Sequence, residues 1–238
     1  MTRPPAPAPL TLIGFAVVLA LSACNPVAYV PSLIPTAPPT AGVRAGVGGN
    51  LMGLHGTAAL SVAPADGVGF YARGFYGNAL DGDEQGGPLT QRGGDLGVAL
   101  AQPLSGRLSL DLGASVGREV VVDSDASYNS LSGAAAYRRV ETSVRRVGAH
   151  AALLVGDDPP GEGAFRIGPA VRLTNVGAVS DGRRGAGVFV EPAVLATFAS
   201  GPVEVTAQGG LSLLAAGDLF DDYTSVPFFG GVTAAVRF

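Results

Sequence analysis

Apolar and polar side chains alternate with a period of two along most of the chain. Between Arg107 and Gly117, leucine, alanine and valine occupy every even position, and arginine, serine, aspartate and glycine occupy the odd ones. The segments 165–174 and 203–213 alternate in the same way. A two-residue period places the two sets of side chains on opposite faces of a β-strand. We therefore predict an all-β fold from residue 41 to the end of the chain.

Ten segments carry this alternation, separated by glycine, proline and aspartate residues that favour turns. Most of the segments are longer than the five or six residues of a usual globular strand. A strand needs about 9–11 tilted residues to cross a bilayer. The pattern therefore predicts an antiparallel, up-and-down transmembrane β-barrel of about ten strands. The predicted strands are 41–49, 56–63, 67–77, 92–102, 107–118, 137–155, 164–176, 187–199, 202–214 and 228–238.

Short and long connections alternate between these predicted strands. Transmembrane barrels have short turns on the periplasmic side and longer loops on the outside. An even number of strands brings both ends of the barrel domain to the short-turn side, next to the periplasm. The predicted short connections are 64–66, 103–106, 156–163 and 200–201, and the long ones are 50–55, 78–91, 119–136, 177–186 and 215–227.

The two faces of the predicted strands suit two different solvents. Leucine, valine and phenylalanine on one face suit lipid, and the opposite face collects charged residues that would line the lumen. Because arginine pairs with carboxylates in a bidentate manner, we expect an ion-paired lumen that fills the barrel. A narrow transport pore or a small-ligand binding barrel is the alternative. The predicted lumen residues are Arg44, Arg73, Asp95, Asp111, Arg139, Glu141, Arg145, Arg166, Arg172, Glu191 and Glu204.

A soluble, lipid-anchored β-barrel or sandwich in the periplasm would show the same two-residue period. In that architecture the apolar face would point inward and the charged face would meet water. The length of the segments and the alternation of the connections favour the membrane barrel.

The first 23 residues form a predicted lipoprotein signal peptide. The apolar run from Leu10 to Leu21 is too short to span a bilayer and fits the core of a signal peptide. It ends in Leu-Ser-Ala-Cys, which resembles the lipobox of bacterial lipoproteins. The resemblance implies that Cys24, the single cysteine of the chain, becomes the lipid-bearing mature N-terminus. Residues 24–40 are rich in proline and are expected to be an extended tether, followed by the barrel at 41–238.

The chain as a whole resembles bacterial outer-membrane β-barrel lipoproteins of unknown function. The lipobox, the Tyr-Val-Pro-Ser sequence at 29–32, the ten alternating segments and the Val-Glu-Pro sequence at 190–192 carry this resemblance. The terminal Phe238 is similar to the C-terminal assembly signal of outer-membrane barrels. The resemblance implies an outer-membrane location with the long loops on the cell surface. Its partners would be outer-membrane lipid and the machineries for barrel assembly and lipoprotein sorting.

Composition narrows the range of functions. The net charge is −4, so the chain lacks the basic character expected of a nucleic-acid-binding protein. With one cysteine and two histidines, it offers no cysteine-rich metal site. Acidic runs such as residues 81–84 are interpreted as solvated loops rather than calcium sites. We expect no cofactor, no metal and no catalytic residue, and a structural or surface-interaction role; a lipid-modifying enzyme that uses His150 is the catalytic alternative.

Overall fold

The computed structural model describes residues 27–36, 41–50, 55–79, 89–123, 126–128, 135–137, 139–156, 163–219 and 224–238. Within these ranges no helix is long and apolar enough to cross a membrane. The strands are β1 (Val27–Tyr29), β2 (Gly42–Asn50), β3 (His55–Ala65), β4 (Val68–Ala79), β5 (Leu89–Ser105), β6 (Leu108–Asp123), β7 (Ala126–Tyr128), β8 (Ala135–Tyr137), β9 (Val140–Gly156), β10 (Ala164–Ser180), β11 (Arg183–Ser200), β12 (Val203–Leu211), β13 (Leu213–Asp218), β14 (Thr224–Ser225) and β15 (Phe228–Arg237).

The long strands close into a ten-stranded antiparallel barrel. Each pairs with its neighbour in the chain, and β15 pairs with β2, so that the last and first strands of the barrel meet. We call each of the ten barrel strands a stave. Strands β12 and β13 form one stave, interrupted at Ser212, and both pair with β11. The short strands β7 and β8 form a hairpin between β6 and β9, and β1 pairs in parallel with β14. The predicted fold class is therefore confirmed.

One predicted connection is wrong. We expected a long loop at 177–186, but β10 continues to Ser180 and β11 begins at Arg183. Asp181 and Gly182 make the turn between them, with φ of 51° and 76°. Two consecutive positive φ values define the type I′ hairpin turn that Asp-Gly favours. The strict alternation of short and long connections therefore breaks at this hairpin.

The other connections distinguish the two ends of the barrel. Tight turns follow β3, β5 and β11 at one end, which we call the short-turn end. The chain also finishes there, because the Phe238 amide donates to the Val43 carbonyl oxygen at 2.9 Å and the Arg237 amide to that of Pro202 at 2.8 Å. The opposite end, which we call the long-loop end, carries the connections after β4, β6 and β13.

The barrel wall is apolar outside and polar inside. Val47, Leu96 and Val147 are each at least 60% exposed, whereas Arg146 is 5% exposed and Glu191 is fully buried. Soluble proteins have the reverse arrangement, with aliphatic side chains buried and charged side chains exposed. The alternative architecture, in which leucines and valines converge on a shared interior, therefore does not describe this barrel.

Residues 27–36 of the proline-rich segment do not lie outside the barrel. Residues 27–36, which we call the plug, lie inside the lumen, and Tyr29, Val30, Leu33 and Ile34 are almost completely buried there. The first three plug residues form β1. The expectation of an extended segment without sheet structure is therefore wrong for residues 27–29, because polar groups of the lumen and of β14 are available to pair with the segment.

Candidate functional site

The plug runs along the barrel axis from the long-loop end to the short-turn end. Near its start, the Tyr29 carbonyl oxygen accepts a hydrogen bond from the Val226 amide at 3.0 Å, in the connection before β15. Near its end, the Thr36 hydroxyl accepts a hydrogen bond from Arg44 at 3.3 Å, close to the start of β2. The plug therefore enters the lumen among the long loops and leaves it beside the short turns.

Two glutamines of the barrel wall bind the backbone of the plug. Gln208 on β12 accepts from the Ile34 amide at 2.7 Å and donates to the Ile34 carbonyl oxygen at 3.0 Å. Gln91 on β5 donates to the Val30 carbonyl oxygen at 3.1 Å. A side-chain amide that pairs with both backbone groups of one residue imitates the pairing of a neighbouring β-strand. The lumen thus recognises the plug partly through its main chain.

Two arginines bind the centre of the plug from opposite walls. Arg73 on β4 donates to the Leu33 carbonyl oxygen and, at 3.0 Å, to the Ser32 hydroxyl. Arg172 on β10 donates to the Ser32 carbonyl oxygen at 2.8 Å and reaches the Leu33 carbonyl oxygen at 3.4 Å. These bonds pair carbonyl groups that would otherwise be buried without a donor.

The apolar side chains of the plug fill two hydrophobic clusters inside the barrel. Tyr29 packs near Phe189 with the ring centroids 4.6 Å apart. Leu33 and Ile34 belong to a second cluster that includes Phe229. Because the wall faces the plug with both apolar and hydrogen-bonding groups, the segment is packed as well as paired. The remaining members of the two clusters are Val144, Val176, Ala178 and Leu219 around Tyr29, and Ala152, Leu154, Ala170, Ala193 and Leu195 around Leu33.

A first charge cluster, the Arg146 cluster, is built from wall residues. Arg146 on β9 pairs with Asp95 on β5 and with Glu119 on β6, each at 2.7 Å. Arg73 pairs with the second oxygen of Asp95. Gln91 donates to Glu119 at 2.8 Å. Four adjacent staves, β4, β5, β6 and β9, are thus joined through their side chains as well as through the sheet.

A second charge cluster, the Glu191 cluster, includes the plug. Glu191 on β11 pairs with Arg172 at 2.6 Å and accepts from Thr174 at 2.6 Å. Its other oxygen accepts from Ser212 at 3.1 Å and from the Tyr29 hydroxyl at 3.1 Å. A carboxylate buried this deeply is stable only where donors surround it. The plug supplies one of those donors and also accepts from Arg172.

Most of the predicted lumen residues face the interior, but three do not. Arg139, Glu141 and Arg145 are exposed on the outer surface, which corrects their prediction as lumen residues. Even-numbered residues of β9 point inward, including Val144, which packs near Tyr29. Successive side chains of a strand lie on opposite faces. Because the even-numbered residues of β9 face inward, its odd-numbered charged residues face outward. The predicted residues that do face the interior are Arg44, Arg73, Asp95, Asp111, Arg166, Arg172, Glu191 and Glu204, with Arg44 and Glu204 paired at 2.6 Å.

The sequence-based prediction missed Arg146, Glu119 and the plug. Arg146 follows another arginine, and its even position in β9, shared with His150, is the signal that assigns it to the lumen. Glu119 lies just beyond the predicted end of its strand and continues the odd-numbered polar face of 107–117. No alternation marks residues 27–36 as part of the lumen. The lipidation candidate, Cys24, lies outside the described residues.

A cavity of about 70 Å³ lies between the plug and the wall formed by β2, β3, β4 and β15, and Arg44, Tyr71 and Arg73 are among the residues that line it. A cavity of that size holds a few water molecules rather than a continuous aqueous path.

The outer surface has its own charged region, towards the long-loop end. Arg118 on β6 lies directly opposite Arg145 on β9 in the sheet. Arg118 donates to the Ser143 hydroxyl at 3.5 Å, and Arg184 lines the same groove. Like charges directly opposite each other destabilise a sheet unless something compensates for them. We call these three arginines the outer arginines.

A closed antiparallel barrel with an aliphatic exterior and a polar interior is an outer-membrane-type β-barrel. No protein-family model matches the chain, and no curated protein matches it. Among solved structures, the chain is similar to the translocator domain of the autotransporter NalP from Neisseria meningitidis. The two are 13% identical, the match covers 96% of each chain, and the TM-score is 0.42.

Proposed function

We propose that this protein is a non-enzymatic outer-membrane β-barrel lipoprotein whose lumen is closed by its own N-terminal segment. Its role is structural or one of interaction at the cell surface, through the long loops. The observation that carries this proposal is the combination of an aliphatic exterior with a lumen filled by residues 27–36. Outer-membrane lipid surrounds the barrel in this proposal, and the barrel-assembly and lipoprotein-sorting machineries deliver it.

The length of the apolar band supports a location in a membrane. The outward face of β9 is aliphatic from Val155 to Val147, and the next outward residue is Arg145. That band matches the roughly 9–11 tilted residues that cross a bilayer. The outer arginines begin where the band ends, at a depth where anionic lipid headgroups would compensate for the repulsion between Arg118 and Arg145.

The packing of the plug supports a closed barrel over a transport pore. Buried ion pairs on both sides of the plug and hydrogen bonds to its backbone hold it in place. A ten-stranded barrel is only slightly wider than an eight-stranded barrel, whose interior side chains already fill it. We therefore favour the closed barrel over the narrow pore or small-ligand barrel.

Lipidation of Cys24 remains part of the proposal on the strength of the signal sequence. Three acyl chains would give firm anchoring, since each buried methylene contributes about 0.8 kcal/mol. The barrel itself should hold the protein in the membrane even without the lipid.

Two measurements test this proposal. The Cys24→Ser variant should stay in the membrane fraction, and its unboiled form should migrate differently from its boiled form on gels, as a folded barrel does. The full-length protein should give no conductance steps in planar bilayers, whereas a variant lacking residues 27–36 should give them. Release of Cys24→Ser into the soluble fraction would contradict the membrane barrel, and steady conductance of the intact protein would favour the pore.

A further inference from the structure

The direction of the plug has a consequence for the topology of the protein. We propose that the chain N-terminal to the plug leaves the barrel at the cell surface, so that the lipid on Cys24 lies in the outer leaflet. This inference rests on the proposed outer-membrane barrel and on lipidation of Cys24. It reverses the sequence-based expectation of a tether on the periplasmic side.

The two ends of the plug fix its direction. At its start, β1 pairs in parallel with β14, with Val27 opposite Thr224, in a connection of the long-loop end. Beyond its end, the Ala41 amide donates to Asp66 at 2.8 Å, in the turn between β3 and β4 at the short-turn end. Since long loops face the cell exterior in transmembrane barrels, the chain passes from outside to inside as it runs from residue 27 to residue 36.

The plug is long enough to cross the membrane once. Pro31 and Pro35 restrict φ and favour an extended chain. Ten extended residues at about 3.1–3.4 Å each span roughly 30 Å, which is the thickness of the hydrocarbon layer. Residue 27 and residue 36 therefore lie at the two opposite membrane surfaces.

The short distance in sequence between Cys24 and Val27 places the lipid on the outer side. Three residue steps span at most about 11 Å. A lipid in the periplasmic membrane surface would be about 30 Å away, with the lumen already filled by the plug. The acyl chains of Cys24 can thus reach the outer leaflet beside the long loops.

Thiol labelling of whole cells tests this topology. When Cys24 carries a thioether-linked lipid, the wild-type chain has no free thiol, so one introduced cysteine reports its own position. We would introduce Pro26→Cys just before the plug and label intact and permeabilised cells with a membrane-impermeant maleimide. Two variants serve as references. Arg184→Cys marks the long-loop end, and Gly106→Cys marks the short-turn end, where an added Cβ meets nothing within 4 Å.

We expect Pro26→Cys to be labelled on intact cells, as Arg184→Cys is. Gly106→Cys should be labelled only after permeabilisation. The inference is overturned if Pro26→Cys instead follows Gly106→Cys while Arg184→Cys remains accessible, a result that leaves the barrel itself intact. Labelling of wild-type Cys24 in denaturant would show that its thiol is free and would contradict lipidation of Cys24. Equal labelling of the two references on intact cells would contradict the proposed barrel itself.

A fourth variant tests the path through the lumen. Ile34 is 2% exposed and hydrogen-bonded to Gln208. Ile34→Cys should therefore remain unlabelled in intact and in permeabilised cells and become labelled only on denaturation. Labelling of Ile34→Cys together with Gly106→Cys in folded, permeabilised cells would show that the segment lies outside the lumen, which overturns the inference.

Discussion

The two charge clusters of the lumen look alike but do different things. In the Arg146 cluster, all the charged groups belong to the wall, and they tie four neighbouring staves together. In the Glu191 cluster, the carboxylate also accepts from Tyr29, and its partner Arg172 donates to the Ser32 carbonyl oxygen. The first cluster therefore stabilises the barrel, and the second couples the barrel to its plug.

Arg73 connects the two roles. Its guanidinium pairs with Asp95 and also donates to the Leu33 carbonyl oxygen. One arginine of each cluster also lies over an aromatic ring. The guanidinium of Arg146 is 4.8 Å from the ring centre of Phe75, and that of Arg172 is 5.5 Å from the ring centre of Phe229. Buried arginines of similar surroundings therefore have different roles, because some contact only groups of the barrel wall and others also contact the plug.

The largest expected effect is that of Arg146→Met. The substitution leaves Asp95 and Glu119 buried without their main cation, and breaking a buried pair costs about 3–5 kcal/mol. We expect the free energy of unfolding in urea to fall by about that amount. Unfolding would be measured by the gel mobility of unboiled samples and by circular dichroism. Arg145→Met, one residue away on the outer face, is the matched control and should change stability little. Equal losses in the two variants would contradict the inward assignment of Arg146.

A smaller and different effect is expected for Arg172→Met. Glu191 keeps donors from Thr174, Ser212 and Tyr29, so the barrel should lose less stability than with Arg146→Met. The plug should loosen, and the thiol of an added Ile34→Cys should become reactive in the folded protein.

A double-mutant cycle separates the two roles. In a barrel that lacks residues 27–36, Arg172→Met has no plug contact left to remove, so its effect on the free energy of unfolding should shrink. Most of the effect of Arg146→Met should be retained in the same background, because the ion pairs of Arg146 are to Asp95 and Glu119 of the wall. If both effects shrink equally, the division between a wall cluster and a plug cluster fails.

The smallest expected effect is that of Gln208→Ala. It removes two hydrogen bonds to Ile34, and a typical intramolecular hydrogen bond contributes about 0.5–1.5 kcal/mol to stability. We expect faster labelling of Ile34→Cys and no change in the stability of the barrel without its plug. The control is Gln102→Ala, since Gln102 is exposed on the outer wall. Slow labelling of Ile34→Cys in the Gln208→Ala variant would mean that the other contacts hold the plug without the hydrogen bonds of Gln208.

The barrel was largely predictable from the sequence because of its periodicity. Each stave has one face in the interior and one face exposed as an apolar surface. The alternation of apolar and polar residues therefore identifies the strands, and an odd or even residue number indicates the face on which a side chain lies. The 107–117 segment shows this, since its odd-numbered residues turn inward in β6. Errors arose where parity had no clear reference, as at the adjacent Arg145 and Arg146. The turn at Asp181 and Gly182 was recognisable as turn chemistry, but the strands on both sides extended further than their hydrophobic pattern.

The sequence by itself determined that the chain forms long alternating strands and which residues share a face, because those properties depend only on local geometry. Tertiary structure decided which carboxylate pairs with which arginine, because the partners lie on different staves and meet only when the barrel closes. It also decided the path of residues 27–36. A proline-rich segment has no period that distinguishes an external tether from a plug, and only the donors and apolar pockets gathered inside the closed barrel make the lumen its place.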